Sequence, residues 1–500
     1  MLNCLLNYTF FAFCLFKYKL HLKMKLYFYF KRVLLSFLIT GGLYLSSCEK
    51  EPLLEDPTVK LVFSTDTVLF DTIFTTIGSV TRHFKVFNPY NKSILISSVS
   101  LSGDTGSPYR INVDGMPGRS FSDLKLRGGD SIYVFVETTI DPVGGDLPMV
   151  VEDSVVFVTN GNIQDVKLVA WGQDVNVING EIFNTGTLTA GKPYLVYNSM
   201  MVDTGQVLSL EPGVRMHFHR DSRLFVAGTI LAEGSPEHPV TFEGARTESA
   251  YRDIPGQWEG IWLMPGSSGN RFVHSRIRNA FNGIIADTVA SPGSITLYLA
   301  NSRIENMTSA GLYARGTTVY SYNTVISNCG FHNVALTIGG DYTFYHCTFA
   351  NYWNFSTRTS SSLVIVNYYT DINDNINLRP VKALFGNTII HGSRGQELEF
   401  FVHPDAGFDV EFNHSLVRVQ SSYSEIFDGI FNNCIFEKDP GFIDPTRFNF
   451  RLSDDSPAID AGDPLIGIIH PFDFDGKSRT DDIAPDIGAF EWVEEPDEEN

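Results

Sequence analysis

Asn301-Ser302-Arg303-Ile304-Glu305-Asn306 recurs as Asn323-Thr324-Val325-Ile326-Ser327-Asn328, and this recurrence decides how the chain is read. Degenerate copies centre on Ile277, Phe349, Ile390, Leu416 and Ile435, so successive copies are 27, 22, 23, 41, 26 and 19 residues apart. Periods of roughly 20–50 residues mark a solenoid, in which each copy supplies one coil that stacks on the next. The central apolar residue of each copy, Ile304 and Ile326 foremost, is expected to point inward. The flanking asparagines fall where a strand must bend, because Asn tolerates the left-handed backbone better than most residues. Asn306, Asn328 and Asn351 are expected to form a side-chain ladder rather than a ligand site. The 41-residue step predicts an inserted loop from Ser356 to Pro380.

Upstream, Leu210-Glu211-Pro212-Gly213-Val214 is followed by Gly228-Thr229-Ile230-Leu231-Ala232-Glu233-Gly234, His238-Pro239-Val240-Thr241-Phe242 and Trp258-Glu259-Gly260-Ile261. These short apolar strands leave no room for helices between them. In this order they resemble the opening rungs of right-handed parallel β-helix proteins, the pectate-lyase-like fold. Downstream stand Asp439-Pro440-Gly441-Phe442, Ser456-Pro457-Ala458-Ile459-Asp460-Ala461-Gly462 and Asp486-Ile487-Gly488-Ala489-Phe490-Glu491. They resemble the C-terminal segment of many bacterial β-helix proteins, and a solenoid must cover its last apolar coil. The expected layout is an all-β chain, with a right-handed parallel β-helix over residues 176–450, a capping segment over 451–493 and an acidic tail over 494–500.

Residues 58–175 read differently. Val59, Leu61 and Phe63 alternate with polar or mixed neighbours, as do Ile132, Val134 and Val136, between turns such as Asn88-Pro89 and Gly128-Gly129-Asp130. Short alternating strands at such spacing predict a β-sandwich. Phe84-Lys85-Val86-Phe87-Asn88, Gly129-Asp130-Ser131-Ile132-Tyr133-Val134 and Gly172-Gln173-Asp174 resemble the Ig-like modules beside the anchors of Bacteroidota surface proteins.

A basic stretch after Met24, an apolar run from Val33 to about Leu45 and Leu45-Ser46-Ser47-Cys48 have the layout of a secretory signal. The run is shorter than the ~20 residues that span a bilayer. Leu-Ser-Ser-Cys resembles the lipobox of bacterial lipoproteins, which implies removal of residues 1–47 and lipid on Cys48; residues 1–23 lie upstream of a complete signal, so Met24 is read as the true start, with a two-part targeting segment as the alternative. Acidic residues behind it, Cys48-Glu49-Lys50-Glu51 in a tether over 48–57, resemble the surface-export signals of Bacteroidota lipoproteins. The resemblance implies an outer-membrane lipoprotein that is membrane-bound through this lipid and exposed at the cell surface.

The full chain holds 37 Lys and Arg against 57 Asp and Glu, and removing residues 1–47 takes six basic residues and no acidic one, for a net charge of −26. Such a surface excludes nucleic acid, whose binding rests on Lys and Arg meeting phosphate. Cys329, Cys347 and Cys434 form neither a disulfide framework nor a zinc spacing and are expected to be small buried residues.

No catalytic set can be assembled. The polygalacturonase series is absent as an ordered whole, although Arg276-Ile277-Arg278 looks like its last element; here it is read as one strand with Ile277 inward and both arginines outward. His346, His391, His403 and His414 are scattered. The aromatic residues Tyr342, Phe344, Tyr345, Tyr352, Trp353 and Phe355 cluster on adjacent coils, and Tyr352 and Trp353 are the candidate ligand-binding pair. Asp473-Phe474-Asp475-Gly476 supplies closely spaced hard oxygens of the kind calcium favours, which makes Asp473 and Asp475 the candidate metal ligands. Lys477 and Arg479 are adjacent, so a cap stapled by salt bridges, with no cofactor, is the expectation there. Two functions follow: a non-catalytic surface scaffold binding polysaccharide or belonging to an outer-membrane protein complex, and, as the alternative, a polysaccharide lyase or glycoside hydrolase.

Overall fold

The computed structural model describes Lys31 and residues 52–146, 148–287, 293–427, 429–481 and 483–494. Cys48, Met24 and the signal region apart from Lys31 lie outside the described residues, as do Asp482 and residues 495–500. Strands make up 51 % of the chain and helices 4 %, so the all-β class holds. The chain divides into two compact units, one of Arg82–Val136, Asp153–Lys167 and the stretch up to Val68, the other of Leu69–Thr81, Glu137–Glu152 and everything from Leu168.

Between Val62 and Gln173 the strands form two five-stranded sheets. Alternation is the cause: in Arg82–Phe87 the side chains of Phe84 and Val86 are buried while His83 is exposed. Phe84 meets Phe63 and Phe157 with ring centroids 6.5 and 6.2 Å apart. Asn88 closes its turn from inside, its Nδ2 donating to the carbonyls of Lys92, Leu126 and Arg127 at 2.8–3.0 Å.

From Asn176 onward, 26 strands form one parallel sheet in which most strands pair with the third one along. That pairing winds the chain into coils of three strands around a single apolar interior. Ile277, Ile304, Ile326, Phe349 and Ile390 occupy one register position on five successive coils, and each is fully buried. The next members of the stack are Val417 and Phe436, not Leu416 and Ile435. The one-residue slip has a physical reason. Leu416 points outward and still lies in an apolar cluster with Ile389, Leu452, Ala458 and Ile487, so the strand is apolar on both faces and its inner side cannot be told from its outer side by sequence.

The corners are built as expected, though not by the ladder expected. His274, Asn301, Asn323, His346, Asn387, His414 and Asn433 precede successive strands of this row, and all have φ between 43° and 53°. Asn and His reach this left-handed region at least cost. Asn306 Nδ2 donates to Asn279 Oδ1 at 2.7 Å and Asn323 Nδ2 to Asn301 Oδ1 at 2.9 Å. Asn351 Nδ2 instead donates to the Cys329 carbonyl at 3.0 Å, and Asn328 Oδ1 accepts from the Tyr352 backbone. Within the 41-residue step, Leu363–Val366 is a regular coil strand, and the insertion proper is the hairpin of Tyr368–Thr370 with Ile376–Leu378.

The closing residues sit elsewhere than on the last coil. Beyond Leu398–Phe401 no further strand pairs with that row among the described residues. There the short helix Ser421–Ile426 and the residue after it bring Tyr423 and Phe427 against Phe400, with centroids 5.9 and 4.7 Å apart. The segment 439–493, with its hairpin Phe442–Asp444/Asn449–Leu452 and helix Pro464–Ile469, runs back along the flank of the solenoid. It packs Phe450, Ala489 and Phe490 on Val325 and Ala350. This explains why the coils from Val319 to Phe355 are poor in acidic residues: their outer faces are covered.

Candidate functional site

The aromatic cluster read from the sequence does not form one surface. Tyr342 and Phe344 are core residues. Tyr345 lies against His470, 5.8 Å between centroids. Tyr352 is half-buried beneath the closing segment, 6.3 and 6.4 Å from the rings of Phe442 and Phe450, and its hydroxyl bonds His391 Nδ1 at 2.9 Å. Trp353 is half-buried too, but outside that aromatic cluster, and Phe355 is exposed, their rings 5.1 Å apart. The indole lies against Gly330, where an added Cβ would stand 3.2 Å from its ring. Tyr352 is thus a structural residue. Tyr352→Ala should cost about 3 kcal/mol, while Trp353→Ala should cost about 1 kcal/mol or less; denaturant unfolding of the two variants side by side checks the contrast, and equal losses would refute it.

Asp473 and Asp475 are occupied by protein donors. Asp473 is buried; its Oδ1 accepts from the backbones of Asp475 and Lys477 at 2.9 and 2.6 Å, and its Oδ2 from that of Glu491 at 2.8 Å. Asp475 is gripped at both oxygens by Arg451, at 2.7 and 2.8 Å. The partners differ from the adjacent Lys477 and Arg479 expected from sequence: Arg479 turns inward, where Nη1 pairs with Glu491 and Nη2 donates to Asn323 Oδ1 at 3.0 Å. Among the described residues no cluster of three His, Cys, Asp or Glu side chains is placed to hold a metal ion.

Beneath this segment, three carboxyls, Asp473, Asp486 and Glu491, share the one guanidinium of Arg479. Burial pushes Asp486 up to about 6 and Glu491 up to about 7 and raises Asp473 as well, with lesser repulsion from Asp460 on Asp486, from Asp486 and Asp473 on Glu491, and from Asp475 on Asp473. Burial works oppositely on the imidazoles there, lowering His391 and His470 to about 4. Raised carboxyls stabilise the fold fully below their unfolded values near 4, and that contribution fades as pH climbs through 6 to 7. Depressed imidazoles contribute fully above 6.5 and lose that contribution as pH falls toward 4. These opposite contributions act over the same interval from about pH 4 to 7 and largely offset each other, so the melting temperature should change little across it; a steep rise or fall between about pH 4.5 and 7 would contradict this.

The outer face of the same strand row carries charge at the edge of the closing segment. Arg276 and Arg278 point outward, as the alternation required, and so do Arg303 and Glu305 on the next coil. Glu305 is fully buried by its neighbours. Burial opposes its charge, but Arg276, Arg303 and Arg278 outweigh that and hold its carboxyl below the usual range. Arg276 Nε donates to Glu305 Oε1 at 2.7 Å, Arg278 pairs with Asp253, and Glu305 Oε2 has no hydrogen-bond partner among the described residues. A cavity of about 330 Å³ opens here, lined by His274, Arg276, Asn301, Arg303, Phe474 and Asp475, among others. Arg303 donates to the Phe448 carbonyl at 3.1 Å and lies over the Phe474 ring at 5.0 Å. The cavity was not foreseen, because its wall at Phe474 and Asp475 comes from sequence some 170 residues away.

No family model matches the chain, and no curated protein sequence does. Among solved structures, it is similar to the catalytic unit of a GH87 α-1,3-glucanase from Streptomyces thermodiastaticus, at 10 % identity over 71 % of this chain and 89 % of that one, with a TM-score of 0.21. A family 123 glycoside hydrolase from Clostridium perfringens aligns at 7 % identity, with 24 % of this chain spanning 26 % of that one and a TM-score of 0.18. The periplasmic chaperone SfaE aligns at 14 % identity over 23 % of this chain and 58 % of that one, with a TM-score of 0.16. Likeness at these scores bears on neither the chemistry nor the partners of this chain.

Proposed function

We propose that this protein is a non-catalytic scaffold at the bacterial cell surface, anchored through lipid on Cys48, that binds glycan or another protein. In this reading the two antiparallel sheets are an Ig-like spacer and the solenoid is right-handed, the hand that parallel crossovers take in nearly all cases. The order of basic, apolar and small residues before Cys48 supports the anchor. One observation carries the preference for binding over cleavage. Around the cavity, Glu305, Asp253 and Asp475 are each tied to a guanidinium, whereas a hydrolase needs one carboxyl free to give a proton and a second beside it. The carboxyls that burial does push upward, Asp473, Asp486 and Glu491, belong to the closing segment and are buried around Arg479. A second reading, a polysaccharide lyase, has Arg303 in its favour: it lines the cavity, and burial pulls its guanidinium below its ordinary value, as proton abstraction would require. Incubating the detergent-solubilised full chain with plant, host and bacterial polysaccharides decides between them. Intact polymers are expected; unsaturated ends absorbing in the ultraviolet, or new reducing ends, would establish cleavage.

A further inference from the structure

One row of solenoid strands carries an apolar stripe on its outer face. In Tyr194–Val202, Arg223–Val226, Gly260–Leu263, Ile284–Ala286 and Leu312–Tyr322, one register position holds Met201, Phe225, Trp262, Ile285 and Tyr313. Each stands between two buried residues, as in Leu224-Phe225-Val226 and Ile261-Trp262-Leu263, so all five side chains project outward and are half-buried by one another. Ile182, in Asn176–Phe183 on the preceding coil, holds the same position and is exposed, so at about 4.8 Å per coil the stripe is about 24 Å long. On the next two coils the position holds Ala335 and Val364, both buried, and the stripe ends.

Its edges are polar but neutral. Arg223 pairs with Glu259 at 2.7 Å and lies over the rings of Phe225 and Trp262 at 5.7 and 5.8 Å. Asp287 Oδ2 accepts from Trp262 Nε1 at 2.9 Å and from Arg315 at 3.3 Å. Two guanidiniums and two carboxylates thus cancel along the stripe, and their directions are fixed by the bonds they already make.

The parts of these half-buried side chains that neighbours leave uncovered form one contiguous apolar strip with a polar rim, and such a strip marks an interaction site. Its dimensions select the occupant. A stable protein interface buries about 800 Å² on each partner, which a strip one residue wide and six long does not supply. A sugar chain is as narrow as the strip: the C–H face of each ring stacks on an aromatic side chain while its hydroxyls reach the carboxylates and guanidiniums alongside. Neutral edges on a strongly acidic chain disfavour a polyanion. We propose that the stripe from Ile182 to Tyr313 binds a neutral, unbranched glycan lying along the coil axis. This rests on the binding reading above and names its ligand class.

The test is affinity electrophoresis of the full chain in gels holding amylose, a linear β-1,3-glucan or xylan, with polygalacturonate as the acidic comparison. At least one neutral polymer should retard the wild type, and Trp262→Ala and Tyr313→Ala should each weaken that retardation at least tenfold. Tyr313→Ser, at the end of the stripe, serves where Trp262→Ala melts early. Retardation by a neutral polymer that survives all three substitutions would overturn the stripe while leaving glycan binding intact. Retardation by polygalacturonate alone, abolished by Arg303→Ala, would place the site in the arginine-lined cavity instead. No retardation by any polymer would remove glycan as the ligand altogether.

Discussion

Arg479→Ala should detach the closing segment from the solenoid and cost about 3–5 kcal/mol, the range for breaking a buried ion pair by removing one partner. The side chain is 1 % exposed and holds Glu491, Asn323 Oδ1 and the Gly488 carbonyl together. Without it, Asp473, Asp486 and Glu491 share a buried space with no cation between them, and all three must take up protons or admit water. The loss should appear first as local opening: faster amide exchange and protease cleavage within residues 439–493, ahead of global melting. Asp475→Ala, which breaks the more exposed pair with Arg451, should cost under about 1 kcal/mol. Equal protection of the segment in Arg479→Ala and the wild type would show that apolar packing alone holds it.

Ile326→Asp is expected to be as damaging by a different route. Ile326 stands between Ile304 and Phe349 in the inward stack, with no exposed surface. Gly311 lies so close that an added Cβ there would stand 2.3 Å from Ile326 Cγ2, so the side chain has no room to turn toward water. A carboxylate at this place is buried without a partner and costs several kcal/mol. Phe331→Asp, a few residues on but 57 % exposed, should change stability by about 0.5 kcal/mol or less. Purification of soluble Ile326→Asp with a wild-type melting curve would mean that the stacking register is wrong.

What the sequence could reveal followed from which forces act locally. The central residues Ile277, Ile304, Ile326, Phe349 and Ile390 were legible because each coil repeats the same inward demand and the outward neighbours are mostly polar. That contrast vanishes at Leu416 and Ile435, where the covering segment makes the outer face apolar as well. The covering of Tyr352 was not legible for a related reason. Whether Tyr352 is free or covered depends on Phe442 and Phe450, about 90 residues later, and no local pattern encodes their arrival. Phe225, Trp262 and Tyr313 did leave a local trace, an aromatic residue between two buried aliphatic ones. It reads as an outward aromatic only once the strand row is known. At Asp473 and Asp475 the spacing suited calcium, but folding supplied backbone amides and Arg451 in its place.

A stack of coils is ordinarily a one-dimensional solid: each layer touches only its neighbours, so damage to one layer leaves distant layers standing. Here the closing segment bonds to five successive layers, through Arg303, Asn323, Thr348, Asn387 and Asn413. It acts as a splint, and layers that would melt independently must melt together. Cooperativity of that kind arrives late, because the splint follows in sequence every layer it binds. Until residues 439–493 dock, the growing solenoid is a row of weakly coupled layers with a bare apolar flank from Val325 to Leu416, and its most aggregation-prone moment falls just before the chain is complete.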